Sequence, residues 1–148
     1  MSLSVAIWAT ICANLLQVLM VLISDTFIGR GTAPAILEHD LKSALSQVEN
    51  LTSASSSSPI HKAFIIGGAS IYSEALGLTE VVDHILLTRI ISPDFEECDV
   101  FMPDFLSGKA GWKRAPHAAL EEWVGFEVAE GAQEEDGVKY EFQMWVRD

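Results

Sequence analysis

Apolar and polar residues follow several rhythms along this chain, and each rhythm predicts a different kind of element. Val5 to Ile23 runs 19 residues without a charge, interrupted by Thr10, Asn14 and Gln17. Continuous apolar runs suit the buried strands of a parallel sheet, here Leu3–Ala9 and Val18–Ile23. The stretch also reaches the lower length limit of a membrane helix, which stands as the alternative, with a buried helix as a third reading. No Lys or Arg precedes it to act as a signal peptide's positive flank. From Asp40 to Leu51 the period changes: Leu41, Ala44, Leu45, Val48 and Leu51 recur at spacings of three and four behind an Asp suited to capping, which predicts a helix.

The run from Ser53 to Pro59 has linker composition and predicts a surface connection. Ala63 to Ile66 then reads as a short buried strand, followed at once by Gly67-Gly68 and a helix through Ala75 that Gly77 can end. His84–Ile90 reads as the next strand, giving a βαβ unit with parallel strands. Near the end, Trp123–Ala129 and Val138–Arg147 look like two strands of an antiparallel hairpin joined by a connector over residues 130–137. In the second, Val138, Tyr140, Phe142, Met144 and Val146 form the core face, and the intervening residues form a mostly wet one. These elements predict an α/β fold: a mostly parallel central sheet with flanking helices and a C-terminal antiparallel hairpin. Residues 1–35 form a divergent apolar segment ahead of a domain over 36–148.

Charge narrows the function. Twenty-one acidic residues stand against nine Lys plus Arg, a net charge of -12, so the surface repels phosphate backbones and anionic lipid. Nucleic acid is excluded as a partner on that ground, and a membrane is disfavoured. Cys12 and Cys98 lie far apart without paired spacing, which indicates neither a disulfide framework nor a zinc site and favours a reducing, cytoplasmic setting. His39, His61, His84 and His117 form no ligand spacing; the first two fall in loops, His84 at a strand start and His117 in a connector. No metal is expected.

Candidate chemistry centres on Phe64 to Tyr72. Two glycines at a strand's end let backbone approach a ligand closely, and the helix behind them offers free N–H groups and a positive dipole end to phosphate. A Gly-Gly pair alone reads equally well as a tight turn.

Context adds to it. Ile65-Ile66-Gly67-Gly68-x-x-Ile71-Tyr72 with Glu74-Ala75, then Ile85-Leu86-Leu87-Thr88-Arg89-Ile90, then Phe95-Glu96-Glu97-Cys98-Asp99-Val100-Phe101-Met102-Pro103, and finally Glu134 to Phe142, resemble the dihydrofolate reductase family in residue type, order and spacing. The likeness covers about Ile36 to Asp148, and the Glu-Cys-Asp spelling is closest to fungal members. It implies NADPH-dependent reduction of 7,8-dihydrofolate to tetrahydrofolate. It implies that Gly67 and Gly68 lie against the cofactor, while Ala69, Ser70 and Ile71 bring a helix N-terminus to its pyrophosphate. Ile66 would line the pocket where pterin and nicotinamide meet, Tyr72 would touch both, and Thr88 would hold the pterin-side acid or its water.

Several family features find no settled counterpart: an acid on the first helix, a Leu-Pro-Trp-like loop, an Arg for the substrate's tail, and a Gly-Arg-x-Thr helix start. Gly29-Arg30-Gly31-Thr32 matches two of the family's motifs, which cannot both hold. Asp40 lies six positions after Pro34, as the catalytic acid does after the loop proline, yet Ala35 takes the Trp position and Asp40 serves as a helix cap. The catalytic acid is therefore unassigned, with Asp40 the one candidate. The expectation is an incomplete, weakly active reductase. The alternatives are a non-catalytic NADPH-binding or protein-interaction remnant, a form tethered to membrane through residues 5–23, and, less favoured, a riboflavin-synthesis reductase of the same fold.

Overall fold

The computed structural model describes residues 4–10, 21–23, 38–54, 62–96, 98–107 and 111–147. In chain order these form β1 (Ser4–Thr10), β2 (Val21–Ile23), α1 (Leu41–Ala54), β3 (Lys62–Ile65), α2 (Ala69–Gly77), β4 (Val82–Ser92), β5 (Trp112–Arg114), α3 (His117–Val124), β6 (Gln133–Glu135) and β7 (Val138–Arg147). The strands make one sheet in the order β2-β3-β1-β4-β7-β5, with β6 also on β7.

β1 pairs in parallel with β3 on one side and β4 on the other. The β3–α2–β4 unit is thus parallel as expected, with β1 inserted between its strands. β2 on β3, β7 on β4, and β5 and β6 on β7 are all antiparallel. The sheet is therefore mixed rather than mostly parallel: the parallel part is the central trio, and β2 runs against β3 where a parallel neighbour was expected. Strands at Ser4–Thr10 and Val21–Ile23 also rule out one continuous helix over Val5–Ile23, because their backbone groups bond sideways to other strands instead of along a helix. Among the described residues no helix is long and apolar enough to cross a membrane. Pro34, Ala35 and the Gly29–Thr32 motif lie outside the described residues.

Helices cover both faces. Leu41, Leu45 and Val48 of α1 and Ala75 of α2 pack with Ala63, Ile65, Val82, Ile85 and Leu87 on one face. Each of the larger aliphatic side chains contributes roughly 1.5–3 kcal/mol through burial. On the other face Leu120 of α3 packs with Leu86 and Met144, against which Phe64, Trp123 and Phe142 also lie. α1 runs on to Ala54 and so takes in Ser53 and Ala54, the first two residues of the expected linker.

Two expectations near the C-terminus need correction. Trp123–Ala129 is not a strand: Pro116 opens a helix at His117, Gly125 ends it in a left-handed conformation at φ 85°, and Phe126 is left exposed. Thus His117 starts α3 instead of lying in a connector. The hairpin partner of β7 is β6, from within that supposed connector, joined through Asp136 and Gly137 at φ 50° and 79°. Two positive φ values define the tight turn whose twist matches paired strands. The second face of β7 is not wet either. Gln143 is buried, Trp145 packs against the first cluster, and Arg147 lies over the Trp112 ring at 4.3 Å while donating to the Leu76 carbonyl at the end of α2. Finally, Cys98 is disulfide-bonded, against the expectation of unpaired thiols.

Candidate functional site

The end of β3 is where the sheet hands the chain to a helix. Ala63 and Ile65 are fully buried, whereas Ile66 emerges at 37% exposure. Gly67 follows at φ 136°, a conformation side chains rarely adopt, and the Gly67–Gly68 peptide is cis. A Cβ placed on Gly67 would meet the Tyr72 hydroxyl at 3.7 Å, an ordinary contact, so glycine is required there by conformation and not by crowding. At Gly68 an added Cβ would meet nothing within 4 Å. The space beside Gly68 is open to an approaching molecule.

Gly68 is the N-cap of α2 and has no side chain with which to close the helix start; its carbonyl accepts from the Tyr72 N–H at 3.0 Å. The N–H groups of Ala69, Ser70 and Ile71 belong to the first turn, which has no acceptor within its own helix and carries the positive end of the dipole. Ala69 is half-buried and Ser70 exposed, while Ile71 and Tyr72 pack against the first core cluster. Burial pushes the Tyr72 phenol above its ordinary pKa, so it remains a neutral hydroxyl at physiological pH.

Thr88 reaches the same end of the sheet from β4. Ile7 of β1 is level with Ile65 and with Ile85, so Gly67 and Thr88 both lie beyond that row, with one strand between their own. Two strand spacings separate them by roughly 10 Å across the sheet. Thr88 is half-buried and pairs with Phe142, which faces the α3 side; its neighbours Leu87 and Arg89 face the α1 side. Ile66, Gly67, Gly68 and Thr88 thus lie at the C-terminal ends of the parallel strands, where open α/β sheets hold their ligands, while Tyr72 packs on the α1 side, the face opposite Thr88.

Asp40 does not join them. Its carboxylate accepts from the Ser43 backbone N–H at 2.8 Å and from the Ser43 hydroxyl at 3.0 Å, capping α1 on the face opposite Thr88. The Ser43 backbone bond, more than any other influence, holds its pKa below the usual carboxylate value. A group held ionised is poorly matched to delivering a proton. His84 stacks on Trp123 with centroids 4.9 Å apart and meets Asp83 at 2.8 Å. His117 meets the Val128 carbonyl at 2.9 Å, and Glu121 accepts from the Val128 N–H at 3.1 Å. The two side chains hold the loop after α3, a role no spacing announced.

Comparison with known proteins identifies relatives of the chain. The family model for dihydrofolate reductase matches residues 32–147. The dihydrofolate reductase of Cryptococcus neoformans is 36% identical, over 85% of this chain and 63% of its own length. That of Pneumocystis carinii is 40% identical, over 74% of this chain and 55% of its own length. That of Candida albicans is 35% identical over 61% of this chain and 46% of its own length. The alignments therefore span less than two thirds of each of these relatives. With a family model spanning most of the chain, the chain belongs to the dihydrofolate reductase family.

Proposed function

We propose that this chain takes part in NADPH-dependent reduction of 7,8-dihydrofolate, with the cofactor side better built than the substrate side. The observation that carries the reading is the junction of β3 and α2. A buried strand ends at a glycine that must be glycine, and an uncapped helix start follows with open space beside Gly68. That combination fits a pyrophosphate, which needs close backbone approach and N–H donors more than a countercharge. It matters the more because the chain's net charge of -12 opposes anions elsewhere.

NADPH would supply a hydride to the pterin. The chain's own groups bind and orient. Ala69, Ser70 and Ile71 offer N–H donors to the phosphates, and Ile66 presents an apolar edge between the two rings. Tyr72, a phenol whose pKa burial raises further, supplies a hydroxyl without charge. Thr88 can fix a water or a carboxylate by hydrogen bonding, but a hydroxyl of ordinary acidity does not itself serve as the proton source.

The test is titration of NADPH fluorescence with wild type and Gly68→Val. Binding by wild type and its loss in a variant of unchanged circular dichroism is the expected result. Equal affinities would remove Gly68 from the site and the proposal with it.

A further inference from the structure

α2 turns its first residues towards the candidate site, and its other end is held from across the sheet. Its own last turn contains no basic residue to answer the negative end of the dipole. The last carbonyls of a helix also lack partners within it. The Ala75 carbonyl accepts from the Leu78 N–H at 3.0 Å and the Gly77 carbonyl from the Thr79 N–H at 3.1 Å, both in the chain that follows directly. Leu76, between them, is satisfied from another element: the Arg147 guanidinium of β7 donates to its carbonyl at 3.2 Å.

Arg147 gains little in return. It stands opposite Trp112 in the pairing of β5 with β7, its guanidinium 4.3 Å over the indole. Its Nε and Nη1 are buried and, among the described residues, have no hydrogen-bond partner. Burial also pulls its pKa downward, as removing a charge from water must. Unpaired buried donors and a desolvated charge destabilise a fold, and an apolar side chain of similar length would bring neither. Such a local violation is expected where it serves a site.

The geometry points to Arg147 as a positioning residue for the candidate cofactor site: by holding the C-terminal end of α2 it fixes where the N–H groups of Ala69, Ser70 and Ile71 stand at the other end. Nine helical residues make a rod of roughly 13 Å, so a tilt or slide at Leu76 is carried to Ala69. Ile71, Tyr72, Ala75 and Leu76 pack in the first core cluster, but apolar contacts have no direction. The Arg147 bond supplies one. This inference rests on the reading of the β3–α2 junction as the cofactor's site, and it adds to that site a residue about one helix length away.

The experiment compares wild type with Arg147→Met and Arg147→Lys by urea unfolding, by titration of NADPH fluorescence, and by nitrogen-proton correlation NMR of the ligand-free chain. Arg147→Met should unfold at or above the wild-type midpoint, because the unpaired donors are gone. It should nevertheless bind NADPH about three- to tenfold more weakly and shift the amide signals of Ala69, Ser70 and Ile71. Arg147→Lys keeps a donor and a charge at the helix end and should restore most of both. The inference is overturned if Arg147→Met unfolds well below wild type, which would make the residue structural only. It is equally overturned if the affinity or those amide signals of Arg147→Met match wild type, or if Arg147→Lys does no better than Arg147→Met. Should wild type itself fail to bind NADPH, the reading of the junction falls, and the amide signals alone decide whether Arg147 sets the start of α2.

Discussion

A methyl group added at Gly67 meets a different obstacle from one added at Gly68. At Gly67 the backbone stands at φ 136°, and any side chain there is strained. Gly67→Ala should cost about 1–3 kcal/mol, seen as a lower urea midpoint with little change of slope. At Gly68 there is open space, so Gly68→Ala should unfold close to wild type. Equal midpoints for Gly67→Ala and wild type would contradict the assignment of the conformational demand to Gly67. The pair itself was legible in the sequence because a buried run stops there and a helix begins. Which glycine bears the demand was not, since torsion angles leave no mark on composition. Gln143 was misread for another reason. Alternation along its strand assigned it to solvent, but Met102–Leu106 return over that face and Gln143 is buried. A covering segment without a period of its own gives no warning in the sequence.

At the level of elements, α1 shows how far a cap can be trusted. Its apolar period and its Asp40 start were both readable, and the Ser43 bonds confirm the cap. Asp40→Ala should lower the melting temperature by a few degrees, whereas Asp40→Asn, which caps equally well, should keep most of it. The same pair separates capping from chemistry. If Asp40 delivered a proton, Asp40→Asn would lose turnover at full stability; we expect no such loss. α3 was missed because Trp123, Phe126 and Val128 suggested a strand while Pro116 and Gly125 went unread as its two ends. Start and stop residues outranked the apolar spacing between them.

For the molecule as a whole, acid should be destabilising in a defined window. Asp40 and Asp104 have pKa values lowered chiefly by backbone hydrogen bonds. At Glu141 burial pushes upward, but hydrogen bonds from Arg114 and Gln143 and the charges of Arg114 and Arg89 outweigh it. Folded-state values below the unfolded ones mean that this stability is present above the ordinary carboxylate pKa and is lost as pH falls through the folded values. Urea midpoints measured from about pH 6 down to about pH 3 should therefore fall, and Glu141→Gln should flatten part of that slope. A flat profile in wild type would deny these three groups their role. Turnover is the other molecular property. With Asp40 on the far face and no other acid assigned to the pterin among the described residues, NADPH oxidation with dihydrofolate should stay below roughly one per second. A faster rate would reveal an acid that neither sequence nor geometry has identified.

β1 has a consequence in time as well as in space. β3, α2 and β4 follow one another directly, yet their strands never touch, because Ser4 of β1 pairs with Lys62 and Thr10 with Thr88. β1 is thus made before both of the parallel strands that assemble on it, and it waits for those two partners until they emerge. Loops of that span make closure slow, and an apolar strand waiting without partners is open to aggregation. Slower synthesis should lower the soluble yield of this chain more than that of a variant permuted so that β1 is made last.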